Sequence, residues 1–155
     1  DGRPDSVSRA PVRAPPGRPG HVLLANVRHC QPCEGDVPIF AASESPLANP
    51  FPVRGMLQVG SRRGRVSQHD VCEAYAALLA YEGPANVAVS TIAVRFGLPP
   101  VEEDDPEAVH VLRCEALEAI RGRIRGGVDV RFLCVCFPRR CHGEDLRAWL
   151  AAPPS

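Results

Sequence analysis

Leu133-Cys134-Val135-Cys136-Phe137-Pro138-Arg139-Arg140-Cys141-His142-Gly143-Glu144-Asp145-Leu146 carries three cysteines and a histidine within nine residues. It closes Val128 to Phe137, the most strand-like run in the chain. It opens onto a helix expected over Glu144 to Ala151, with Glu144 and Asp145 in the first turn, where the helix dipole favours acidic side chains. A strand running into a helix through a short turn is the junction at which open α/β folds build their sites.

Upstream, Asp105-Pro106 reads as an N-cap followed by proline at the first helical position. Val109, Leu112, Ala116, Ile120 and Ile124 then step along one helical face until Gly126-Gly127 stops it. Arg121, Arg123 and Arg125 suit its C-terminal end. Ser67 and Asp70 approach a capping box, and Val71, Cys72, Tyr75, Leu78 and Leu79 form the apolar face of a helix ended by Gly83-Pro84. Val22 to Val27 reads as a buried strand, and Val37 to Phe40 as a short one confined to a sheet edge by Pro38. Ser43 to Gly64, rich in Pro, Gly and Ser, is expected to be mostly loop. Val87 to Phe96 fits either strand or short helix, and Pro99 to Asp105 is an acidic loop. This order of elements predicts an α/β domain with a small, largely parallel sheet flanked by helices.

The chain has 155 residues, enough for one domain with a real core. Its eighteen basic residues, all Arg, cancel eighteen acidic ones, so no strong nucleic-acid signal is present. No apolar run approaches the ~20 residues that span a bilayer. The chain begins at Asp1 rather than Met, as a processed or trimmed polypeptide would. Seven cysteines cannot all pair internally, which favours a soluble protein of a reducing compartment, an organelle matrix or stroma rather than a secreted setting. Residues 1–20 hold five Pro, four Arg and three Gly and read as an extended arm bound to other protein subunits. Residues 153–155, Pro-Pro-Ser, form a tail of similar character, leaving 21–152 as the single α/β domain.

Asn26-Val27-Arg28, Asn49-Pro50-Phe51, Cys134-Val135-Cys136 with Pro138, and Cys141-His142-Gly143 together resemble the family known as domain of unknown function 4326. Arg65 and Tyr75 sit where its members commonly carry an Arg and a helix Tyr. The resemblance covers about residues 21 to 151 and implies a small Rossmann-like fold, with the Asn49–Phe51 loop as one wall of a ligand cleft beside the Cys-His turn. It implies Asn49, Phe51 and Arg28 as ligand-binding residues. The chain departs from the pattern where Ile39-Phe40-Ala41-Ala42 replaces an Ile-Gly-Arg segment, where Ala48 replaces a Gly, and where Glu144 replaces an Asp. Residues 83–108 read as an insertion.

Cys134 and Cys136 alternate onto one face of a strand, and a turn can fold Cys141 and His142 back toward them. Such a set suits zinc, with Cys30 and Cys33 of Cys30-Gln31-Pro32-Cys33 as alternative ligands. It also suits a reactive Cys141 assisted by His142, since Arg139, Arg140 and a helix N-terminus lower a thiol pKa. Cysteine equally packs as a small hydrophobe. Asn49-Pro50-Phe51 has a purely structural use as well, a capped turn with Phe51 plugging the core. No Gly-x-Gly-x-x-Gly or Gly-x4-Gly-Lys phosphate loop is present. The expected function is a non-catalytic accessory subunit of a larger assembly, a membrane complex included. The alternatives are a small-molecule or nucleotide-binding enzyme and a zinc-stabilised binding domain.

Overall fold

The computed structural model describes residues 18–31, 33–40 and 45–152. Residues 1–17 of the expected arm and the whole tail, 153–155, lie outside the described residues. A three-stranded parallel sheet has the order β1 (Val22–Asn26), β5 (Val130–Cys134), β2 (Val37–Pro38). Val22 pairs with Val130, Asn26 with Cys134 and Val37 with Phe132. The central strand β5 is buried at every residue, as a strand covered on both faces must be. Pro38 lies on the edge strand, where its missing N–H costs no ladder bond. The fold is the mixed α/β, Rossmann-like arrangement expected.

Four helices accompany the sheet: α1 (Gln68–Leu79), α2 (Ala88–Arg95), α3 (Pro106–Arg125) and α4 (His142–Ala151). The Ser67 hydroxyl accepts the Asp70 N–H at 3.1 Å and the Asp70 carboxylate accepts the Ser67 N–H at 2.8 Å, completing the capping box of α1. This helix buries Val71, Cys72, Tyr75 and Leu78, and it ends before Gly83 is reached. The ambiguous segment 87–96 resolves as α2, preceded by one 3-10 turn. Ala88, Val89, Ile92 and Ala93 of α2 join Phe51, Leu57, Val71 and Leu78 in a second core beside the main one. The main core gathers Ile39, Leu47, Tyr75, Leu117, Ile120, Phe132 and Leu146 between the sheet, α1, α3 and α4.

Three expectations change. Within the segment read as loop, β3 (Met56–Val59) and β4 (Arg62–Arg65) form an antiparallel hairpin around Gly60, which has a φ of 59°. Only Leu57 of the two strands is buried, and β4 is Arg-Arg-Gly-Arg, so no apolar alternation announced it. The face of α3 is rotated in its N-terminal half, which buries His110 and Arg113 and leaves Leu112 54 % exposed. The cause is polar: Arg113 donates to the Ala48 carbonyl at 3.3 Å and contacts His110 Nδ1 at 3.0 Å, satisfying a buried carbonyl. Finally, β5 stops at Cys134 rather than Phe137, because residues 135–140 form the turn into α4.

Candidate functional site at the end of the central strand

The C-terminal end of β5, the 135–140 turn and the first turns of α1 and α4 meet the loop that carries Asn49 to Phe51. Two side chains hold this junction together. Asn26, the last residue of β1, donates from Nδ2 to the Phe137 carbonyl at 2.7 Å and accepts the Arg28 N–H at 2.8 Å. Cys141 is the N-cap of α4: its sulfur accepts the Gly143 N–H at 3.3 Å and its own N–H donates to Glu144 at 3.1 Å. Glu144 thus completes a capping box, while Asp145 makes a paired ion bridge to Arg140 with both contacts at 3.0 Å. Gly143 is required by packing, since a Cβ there would come within 2.9 Å of Leu24 and 3.0 Å of Ile39.

A cavity of about 150 Å3 opens at this junction. Phe40, Phe51, Val53, Val71 and Val135 supply apolar walls, and Asn49, Gln68, Cys134, Cys136 and His142 supply polar atoms. A neighbouring hollow of about 240 Å3 is lined by Gln68, Cys136, Arg139 and Arg140. The Asn-Pro-Phe loop and the Cys-His block therefore line one cleft, at the carboxyl ends of parallel strands.

His142 is buried and stacks edge-on against Tyr75 at 4.7 Å. Tyr75 in turn donates to the Leu47 carbonyl at 2.7 Å. Burial lowers the His142 pKa to about 4, outweighing the Leu47 and Ile39 carbonyls that favour its charged form. The ring is neutral at physiological pH, and its Nε2 has no hydrogen-bond partner of good geometry among the described residues.

The thiols form a cluster. Cys134, Cys136 and Cys141 lie close enough to influence one another's ionisation. The Cys134 sulfur accepts the Phe137 N–H at 3.3 Å and lies 3.7 Å from the Ala25 carbonyl, the acceptor for its S–H in the thiol form. The hydrogen bond from Cys141, aided by the backbone donors of Phe137 and Cys136, holds Cys134 below the usual thiol range despite its burial. Cys141 is pushed up by the same bond and by burial. Gln68 bridges from Nε2 to Cys136 at 3.8 Å and Cys72 at 3.7 Å, and burial pushes the Cys72 thiol up to about 11. Cys134, not Cys141, is thus the member of the pair that ionises first. Among the described residues no group of three or more His, Cys, Asp or Glu side chains is arranged to hold a metal ion.

The other candidates lie apart or serve structure. Asn49 spends its amide on the Val71 carbonyl (2.9 Å) and the Phe51 N–H (3.0 Å), and Phe51 plugs the second core. Arg28 is exposed and does not line the cleft. Cys30 and Cys33 neighbour Arg131, which makes a buried paired bridge to Asp36 at 2.9 and 2.6 Å. Arg131 and Cys134 are three apart on β5 and point to opposite faces, so Cys30 and Cys33 sit across the sheet from the thiol cluster. Gln68 and Asn26 were missed as site residues. The signal for Gln68 was its place directly after the Ser67 cap.

No family model, curated protein or solved structure matches the chain.

Proposed function

We propose that the chain is a small-ligand-binding α/β domain, a divergent relative of the domain of unknown function 4326 family, that takes a ring-bearing anion of mononucleotide size. One observation carries the reading: the Asn49–Phe51 loop, the strand-end thiols and His142 share a single cavity. A cavity of about 150 Å3 with apolar walls has room for one six-membered ring. The Gln68 and Asn49 side chains on its wall offer such a ring polar contacts. The adjoining hollow beside Arg139 and Arg140 lies next to the first turns of α1 and α4, where anions are favoured. The test is thermal unfolding of the full chain with AMP, GMP, CMP, UMP or benzoate, against inorganic phosphate. At least one ring-bearing anion should raise Tm, and Val53→Trp, at the half-exposed rim of the cleft, should abolish the rise. Equal Tm with every probe, or a rise that survives Val53→Trp, would remove the proposal.

The accessory-subunit reading has one observation of its own. A groove of about 330 Å3 runs along α2, lined by Val89, Ala93, Leu98, Val101 and Val94, the last 79 % exposed. Other protein subunits seated there would cover an apolar surface. A defined set of co-purifying proteins lost with Val94→Arg is the expected result, and a full chain that purifies alone from its native source counts against it.

A further inference from the structure

We propose that the outer face of the β3–β4 hairpin binds the phosphodiester backbone of a single-stranded nucleic acid. No hairpin residue lines the cleft, so this surface acts independently of what binds there. The register places Met56 opposite Arg65 and Gln58 opposite Arg63, so these four residues share one face, while Leu57 and Gly64 share the other. Leu57 is buried, which turns the Arg face to solvent: Met56, Gln58, Arg63 and Arg65 are all exposed. The chain holds four Arg and no acidic residue between Ser45 and His69. Arg54 is taken by Glu102 and Arg62 by Asp70, whereas Arg63 and Arg65 make no ion pair among the described residues. Arg95, exposed in the last turn of α2, stands two residues before Gly97, whose carbonyl accepts the Gln58 N–H at 3.0 Å. It adds a third cation beside β3.

The spacing favours a regularly repeating anion over a single one. Two residues apart on one strand, Arg63 and Arg65 stand about 7 Å apart along it. That repeat is on the order of the step between phosphates of an extended strand, and a guanidinium fork suits phosphate oxygens. Phosphodiester strands also carry condensed counterions, whose release drives binding to even a few cations; a loosely charged acidic peptide lacks this term. Three Arg fall short of the roughly four to eight basic residues that mark an anionic-lipid site. Residues 54–66 contain no aromatic side chain on which a base could stack, so the hairpin grips the backbone and reads no sequence. The chain as a whole is neutral, so the attraction is local, weak and strongly dependent on salt. At about −0.7 per phosphate contact for single strands, three Arg contacts give a slope of log affinity on log salt of about −2.

The experiment follows fluorescence anisotropy of labelled oligouridylate and oligothymidylate, each of about twelve nucleotides, with the full chain between about 20 and 200 mM salt. Both strands should bind alike, with a salt slope near −2. The double variant Arg63→Gln, Arg65→Gln changes only solvent-facing side chains, so its Tm should match wild type. Its binding should weaken at least about tenfold at the lowest salt, and its slope should flatten to about −0.7. Arg123→Gln with Arg125→Gln, on the exposed last turn of α3, should leave affinity within about twofold. If the hairpin variant fails to fold, the wild-type slope and a comparison with polyglutamate of equal length decide the matter. Absence of salt-dependent binding by wild type would overturn the proposal, as would affinity unchanged in the hairpin variant. Polyglutamate bound as tightly as the oligonucleotides would make the partner an acidic protein instead, and binding to phosphatidylserine vesicles alone would make it a membrane; either result also overturns the proposal.

Discussion

Acidification should unlock the cleft through His142. The ring is buried against Tyr75, and burial takes its pKa from 6.5 to about 4 in the folded chain. In the unfolded chain the ring takes up a proton near pH 6.5, whereas the folded chain resists until about pH 4. Between those values the unfolded state binds more protons, so folding stability rises with pH across the window and is lost as pH falls. At about 1.4 kcal/mol per unit, the drop from 6.5 to about 4 amounts to at most about 3.5 kcal/mol. His110, also lowered by burial, and Asp145 and Glu103, raised by burial, add pH dependence of their own, so wild type alone does not isolate the effect. His142→Gln removes the titrating ring and leaves the other groups in place. Urea unfolding of both chains from pH 7.5 down to pH 4 provides the readout. The stability advantage of wild type over the variant should be constant above about pH 7 and shrink by about 2–3 kcal/mol between there and pH 4. An advantage that stays constant with pH would refute the account of His142 as a buried neutral ring.

Asp36→Asn should cost about 3–5 kcal/mol in denaturant unfolding, because it leaves the buried Arg131 guanidinium without its countercharge; a loss below about 1 kcal/mol would show that the pair is hydrated. Ser67→Ala should cost about 1 kcal/mol through loss of the α1 cap, read in the same assay. Gly97→Ala should cost clearly more than the ~1 kcal/mol typical of a Gly/Ala exchange, since Gly97 has a φ of 67° and a Cβ would come within 2.1 Å of the Gln58 carbonyl; Gly122→Ala on α3, with open space around it, serves as the benign control.

How far the sequence could be read depended on whether local chemistry or tertiary polarity decided each element. The strand read over Val128 to Phe137 and the Ser67–Asp70 box carry their signals locally; the box appears where expected and the strand is present but shorter, Val130 to Cys134. The β3–β4 hairpin was hidden because β4 has no apolar residue; its pairing comes from a Gly60 turn and one buried Leu57. The face of α3 was misjudged because Arg113, the largest fully buried side chain among the described residues, is drawn inward by the Ala48 carbonyl and by His110 rather than by hydrophobicity. At the site, the Cys-His block and the Asn-Pro-Phe loop do meet, but two of their readings shift. Asn26 rather than Arg28 is the part of the early motif that touches the turn. Cys30 and Cys33 fall on the far face of β5 because strand pleating, invisible in a list of spacings, separates them from Cys134.

The most direct test is nuclear magnetic resonance of the full chain titrated with UMP. Resonances of Phe51, Gln68, Cys134, Cys136 and the His142 imidazole should shift together, since these residues line one cleft, and Val53→Trp should suppress the shifts. Unmoved His142 and Cys134 resonances under a saturating series of AMP, GMP, CMP, UMP and benzoate, or shifts confined to Val94 and its neighbours on α2, would contradict the assignment of this cleft as the ligand site.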